Sequence, residues 1–276
     1  MRRLSLLALL LGSCAHTSTA EEVEPYFLTV EHGSAAAAMA AGEKLAAAYD
    51  DTHLPRLEKT LAAKPVRALQ LIGDLSTDGS ARLLLNHLPY LLESKDPEVA
   101  RMAAVVAGLR RLKPATAALL HHPEEPAVVR ALGRIWEQDL DSQPLPREEE
   151  IDRLTVFAVV HRQAMGPNPT VEACEATLSV MTAAELEDFL AKHAADKFPA
   201  RRPCDEAVRR PDFDADKGLR VHEALLKSPD VNLVAGILES SPFPLGEPLV
   251  EALLKDNRTV KEGVRVGDVA ARRLKR

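Results

Sequence analysis

The chain has 276 residues, a formal net charge of −6 and 46% hydrophobic residues. That apolar content supports a sizeable core and excludes wholesale disorder, and the acidic balance argues against a general nucleic-acid binder. Alanine and leucine fill 42 and 41 positions while aromatics make up only 4%, which favours close-packed helices over β-sandwiches or barrels.

The N-terminus reads as a processing segment. Arg2 and Arg3 are followed by an apolar run, Leu4 to Leu11, broken only by Ser5. The run is too short to span a bilayer, which takes about 20 residues. It ends in Leu11-Gly12-Ser13-Cys14, which resembles a bacterial lipobox. The resemblance implies removal of residues 1–13, diacylglycerol on Cys14, and acyl anchoring in the membrane. Ala15 stands where some such proteins carry the Asp that retains them in the inner membrane, so the outer membrane is favoured, on its periplasmic side. The alternative is an ordinary signal peptide cut after Ser18-Thr19-Ala20, with Cys14 discarded. Residues 14–34 are expected to serve as a lipidated tether.

Helix signals then recur and strand signals are nearly absent. Helices are predicted over Ala35–Tyr49, with a break at Gly42, and over Leu54–Leu61, Pro65–Leu75 and Ala81–Glu93, the last kinked or shortened by Pro89. Asp96-Pro97-Glu98 starts another, with Asp as cap, Pro in the first turn and Glu at the positive dipole end. Pro114 opens the next. Asp141–Glu150 reads as a linker, Ile151–Gln163 as a helix and Met165–Thr170 as a turn. Thr182 and Glu185 form a capping box for a helix to His193. Phe198–Gly218 reads as irregular.

Self-similarity carries the fold assignment. Asp96-Pro97-Glu98-Val99-Ala100-Arg101 aligns with Glu125-Pro126-Ala127-Val128-Val129-Arg130, matching Pro, Val and Arg. Val66-Arg67-Ala68-Leu69 falls in the same register, and Ser228-Pro229-Asp230-Val231 and Val264-Arg265 repeat parts of it. The pattern resembles the HEAT-like family of α-solenoids. It implies an all-α fold of stacked antiparallel helix pairs over residues 35–140 and 219–276, with 141–218 an insertion or diverged repeats. In that family's terms Arg67, Arg101, Arg130 and Arg265 share one position, as structural ion pairs or as a ligand-binding row.

Few residues point to chemistry. Cys174 and Cys204 are an even pair in an exported chain and are expected to form a disulfide, the alternatives being two buried free thiols or a reactive cysteine. Asp212, Asp214, Asp216 and Glu223 resemble an EF-hand calcium loop at its first, third, fifth and twelfth positions. The sixth position is Lys217, not the Gly the turn needs, so the competing reading is an acidic turn that caps the helix holding Glu223. Arg101, Arg110, Arg111 and Lys113 form a basic patch beside Val105 and Leu109, either a solvated helix end or a docking site. Trp136 reads as core or as an interface anchor. No metal motif, phosphate-cradling loop or nucleophile elbow occurs, and no cofactor is expected. The expectation is a non-catalytic scaffold, lipid-anchored in the bacterial envelope, that docks another envelope protein. An envelope ligand-binding protein is the alternative, then an enzyme or an enzyme accessory subunit.

Overall fold

Short polar side chains set where the helices begin. Asp96 accepts the backbone N–H of Glu98 at 2.9 Å, Asp214 that of Lys217 at 2.7 Å, and Asp230 those of Asn232 and Leu233. Each satisfies donors that a first turn leaves without an intrahelical partner. Ser34 and Thr170 do the same for Ala37 and Ala173.

The computed structural model describes residues 19–193, 201–260 and 263–275. Among them the chain is all helical. It forms α1 (Ala20–His32), α2 (Ala35–Ala48), α3 (Leu54–Ala63), α4 (Pro65–Asp74), α5 (Asp78–Leu92), α6 (Pro97–Leu109), α7 (Thr116–Leu119) and α8 (Pro126–Ile135). These are followed by α9 (Arg147–Ala164), α10 (Val171–Val180), α11 (Ala183–His193), α12 (Arg201–Val208), α13 (Ala215–Leu225), α14 (Val231–Ser240), α15 (Glu247–Ala252) and α16 (Val266–Arg273). An isolated bridge between Thr259 and Arg265 is the nearest approach to a strand. Cys14 and the lipobox lie outside the described residues.

Two compact units divide at Leu83, inside α5. In the first unit, α1 packs on α2 and α3, and α3 on α4. Residues expected to be tether instead form α1, which buries Val23, Phe27 and Val30. Arg56 joins α3 to α1 through Glu24 and Glu31, and its guanidinium holds the Glu31 carboxyl below its usual range. Arg67 donates to the carbonyls of Val30 and Gly33 at 2.6 and 2.9 Å. Gly42 does not break α2, and Pro89 does not end α5.

In the second unit, α6 packs on α8, α8 on α10, and α10 on α12, while α9 covers α8 and α10. Two glycines permit close approaches between these helices. A methyl group on Gly108 of α6 would come within 2.8 Å of the Ala131 Cα, and one on Gly133 of α8 within 2.6 Å of the Ala176 Cα. Neither backbone is able to yield, so these positions need glycine. The stretch expected to be irregular, Phe198–Gly218, contains α12 and the start of α13. The reason is Pro203: it lies in the first turn of α12, where its missing N–H costs nothing. The expected linker likewise gives way to α9 from Arg147.

Candidate interaction site

The unusual backbone of the chain is at Arg111. Among the described residues it is the one non-glycine residue with positive φ, at 49°. The cause is the end of α6. Leu112 N–H donates to Ala107 O at 3.1 Å and Arg111 N–H to Gly108 O at 3.0 Å. This is a Schellman ending, which requires a left-handed residue and usually takes glycine. An arginine there costs about 1 kcal/mol. Its side chain, though largely solvent-exposed, reaches Glu137 at 2.5 Å. Strain of this kind points to a role other than stability.

Arg111 borders a cavity of about 370 Å³ whose walls include Arg134, Glu137, Glu175 and Asp212, with Leu109 and Phe213 as apolar wall. The helix row positions them: α6 ends at Leu109, α8 carries Arg130 and Arg134, Glu137 follows α8, and α10 carries Glu175. Arg130 donates to Glu175 at 2.8 Å and to Asp212 at 2.9 Å. Arg134 pairs with Asp212 as well, and Arg210 pairs with Glu172 at 2.7 Å and with Glu175. Burial raises the Glu137 carboxyl above its ordinary range, against the opposing pull of Arg111. The result is a concave surface of alternating guanidinium and carboxylate groups, suited to a polar partner that offers both charges.

Arg111→Gly separates strain from function. It should leave stability unchanged or raise it by up to about 1 kcal/mol, because relief of strain offsets a partly exposed ion pair. Arg111→Ala keeps the strained backbone and loses the pair, so its urea-unfolding free energy should fall by about 0.5–1 kcal/mol. A destabilised Gly variant would show that the side chain is there for the fold.

The other predicted residues are dispersed. Arg101 pairs with Glu98 on its own helix, at 2.6 Å and exposed, and Arg265 pairs with Asp268 in the same way. Arg110 has an interaction partner and is not a free cation. Trp136 is no surface anchor: it is 1% exposed, and its indole N–H donates to Thr116 Oγ1 at 2.9 Å. The calcium reading is corrected too. Asp212 serves Arg130 and Arg134, Asp214 caps α13, Asp216 lies in the first turn of that helix, and Glu223 accepts Gly246 N–H at 3.1 Å. The helix begins at Ala215, so the chain cannot curl round a cation there. Among the described residues no cluster of three or more His, Cys, Asp or Glu side chains is placed to hold a metal. Cys174 and Cys204 are both buried and hydrogen-bonded to each other as reduced cysteines.

Two groups escaped sequence reasoning. Lys217 is fully buried and donates to the carbonyls of Leu178, Ser179 and Met181. His222 is also sealed from solvent; its Nδ1 lies 2.8 Å from Ser241 Oγ and its Nε2 lies 3.0 Å from Asp205 Oδ1. Acid, imidazole and hydroxyl are the components of a nucleophile relay. Here Phe243 stands edge-on to the imidazole, its backbone N–H donates to Ser241 Oγ at 3.2 Å, and Ser241 itself is buried. A substrate has no approach to that hydroxyl, and the three residues tie α12, α13 and the segment after α14 together. No local motif announces them, because their partners lie far along the chain.

No known protein family matches this chain, no curated protein is significantly similar to it, and no solved structure resembles it at a significant level.

Proposed function

We propose that the chain is a lipid-anchored, extracytoplasmic helical-repeat protein of the HEAT-like kind, which recognises another envelope protein without catalysing a reaction. The observation that carries this reading is the strained Arg111 at the rim of a charged, open cavity. The packing of α6 on α8, α8 on α10 and α10 on α12 supports a solenoid, because in such arrays each repeat completes its neighbour's core. The same packing leaves a broad surface on which a few arginine and apolar anchors dominate recognition. Leu109, exposed beside Arg111, supplies the apolar anchor. The lipobox resemblance supplies the anchor to the membrane through Cys14, since acyl chains contribute about 0.8 kcal/mol per buried CH₂.

A photo-crosslinking residue placed at Leu109 tests the reading in intact cells. One protein should be captured stoichiometrically, and Arg111→Gly should reduce its capture about tenfold or more, the loss expected of a hot-spot residue. Capture that is unaffected by Arg111→Gly would move recognition elsewhere. A second reading, a ligand-binding protein, has one observation in its favour. A groove of about 390 Å³, with Pro97, Ala100, Pro126 and Val128 in its wall, lies where α6 and α8 begin. Sugar or lipid that co-purifies in fixed ratio would favour it.

A further inference from the structure

The two buried thiols are a pair that the proposed function leaves unused. Cys174 lies mid-way along α10 and Cys204 within α12, and the two helices pack directly against each other. Cys174 is fully buried and Cys204 is 3% exposed. The hydrogen bond between the two cysteine side chains, and then burial, push the Cys204 thiol well above its ordinary range. Two helices that bring their only thiols into contact are already arranged for a cross-link. The surroundings suit these sulfurs to little else. No metal cluster forms among the described residues, and burial denies Cys204 the thiolate character a nucleophile needs.

We propose that Cys174 and Cys204 form an intramolecular disulfide that staples α10 to α12. The proposal rests on the exported location only for its oxidant, because disulfides persist outside the cytoplasm. The chemistry is a two-step exchange. One thiolate attacks a small-molecule or protein disulfide and expels one of its sulfurs as a thiol. The second cysteine then attacks the mixed disulfide and expels the other. The two cysteines together lose two protons and two electrons, and the oxidant leaves as two thiols. Because both sulfurs are buried in the folded protein, exchange takes place before α12 docks or when it transiently opens.

The staple has a consequence for the charged cavity. Glu172 and Glu175 flank Cys174 on α10, and their partner Arg210 follows α12 by two residues. A bond between the helices therefore holds Arg210 over those carboxylates, and through Glu175 and Arg130 it holds Asp212.

The test uses the full chain. It is unfolded under reductant, refolded in mixed oxidised and reduced glutathione, quenched in acid, and alkylated in denaturant without reductant. Denaturant is essential, since buried thiols escape alkylation whether bridged or not. Peptide mapping should find residues 174 and 204 in one cross-linked peptide pair, lighter than the reduced peptides by two hydrogens. Reduction should lower the unfolding temperature by roughly 5–10 °C and raise amide exchange within α12. Cys204→Ala should behave like the reduced protein and not respond to reductant. Free thiols at both positions in the refolded protein, or cross-linking of either to Cys14, would overturn the proposal. Protein isolated from cells with both thiols alkylated, beside refolded protein that bridges, leaves the pair intact and overturns the exported location instead.

Discussion

Lys217→Met should destabilise the second unit by about 3 kcal/mol, one of the two largest effects expected of any single substitution in the chain. The reason lies at the C-terminal end of α10, where the last carbonyls of a helix have no intrahelical partner and the dipole end is negative. Here four successive carbonyls meet buried cations. Lys217 donates to Leu178, Ser179 and Met181 at 3.0, 2.8 and 2.7 Å, and Arg153 donates to Val180 at 2.9 Å. Arg153 is only 1% exposed and is itself held by Glu150 and Glu185. Methionine fills most of the volume of lysine but donates nothing, so it leaves the Leu178 and Met181 carbonyls orphaned. Ser179 keeps one bond, from Gln138 N–H.

The same lysine makes stability depend on pH, in a direction that can be worked out. Burial pulls its ammonium from the usual lysine range down to about 8. Above that pH the folded chain has released the proton, while the unfolded chain holds it until roughly 10.4. The unfolded state thus binds more protons, and stability rises with pH between those values. The difference between the natural protein and Lys217→Met should therefore widen from pH 8 towards 10. Trp136 is the only tryptophan and lies in the second unit, so its fluorescence follows the transition. A difference that shrinks over this range would mean that the charged donor outweighs the cost of burying it.

How much of this is legible in the sequence depends on how far each residue reaches. Asp96, Asp214 and Asp230 act within three residues, and two of them are readable as helix starts from spacing alone. The Pro-Val-Arg register likewise locates α6 and α8, since both begin at the aligned prolines. Lys217 acts on partners 36 to 39 residues away, so its neighbourhood shows only a lysine where a calcium loop wants glycine. That misfit is the useful clue: a charged residue at a position facing inward needs partners. Arg111 gives no such clue. A Schellman ending is normally read from its glycine, and Leu109-Arg110-Arg111-Leu112 has none. Proline misleads in the opposite direction, because Pro203 suggests irregular chain where it stands in a first turn. The cysteines pair by count, and contact between α10 and α12 supplies the geometry that counting lacks.

The other large effect is expected at Trp136, where truncation to alanine should cost about 3–5 kcal/mol. The residue ends α8, and its backbone N–H donates to Leu132 O at 3.2 Å. Its ring fills a space between α8 and the Lys113–Leu119 segment. The indole N–H reaches Thr116 Oγ1, and the Lys113 ammonium lies 5.2 Å from the ring centre. Alanine would empty the largest fully buried side-chain volume of the chain's described residues. The void would adjoin Glu137, the partner of Arg111, so the cavity wall should loosen along with the core. Trp136→Phe separates these contributions. It keeps most of the apolar volume and loses one hydrogen bond. Thr116 still donates to the Lys113 carbonyl at 2.7 Å, so its hydroxyl is not orphaned. That variant should cost only about 1–2 kcal/mol. Urea unfolding followed by circular dichroism measures both, and partner capture well below the transition should persist in Trp136→Phe. Full stability in Trp136→Ala, together with lost capture, would return the tryptophan to the surface role that its burial argues against.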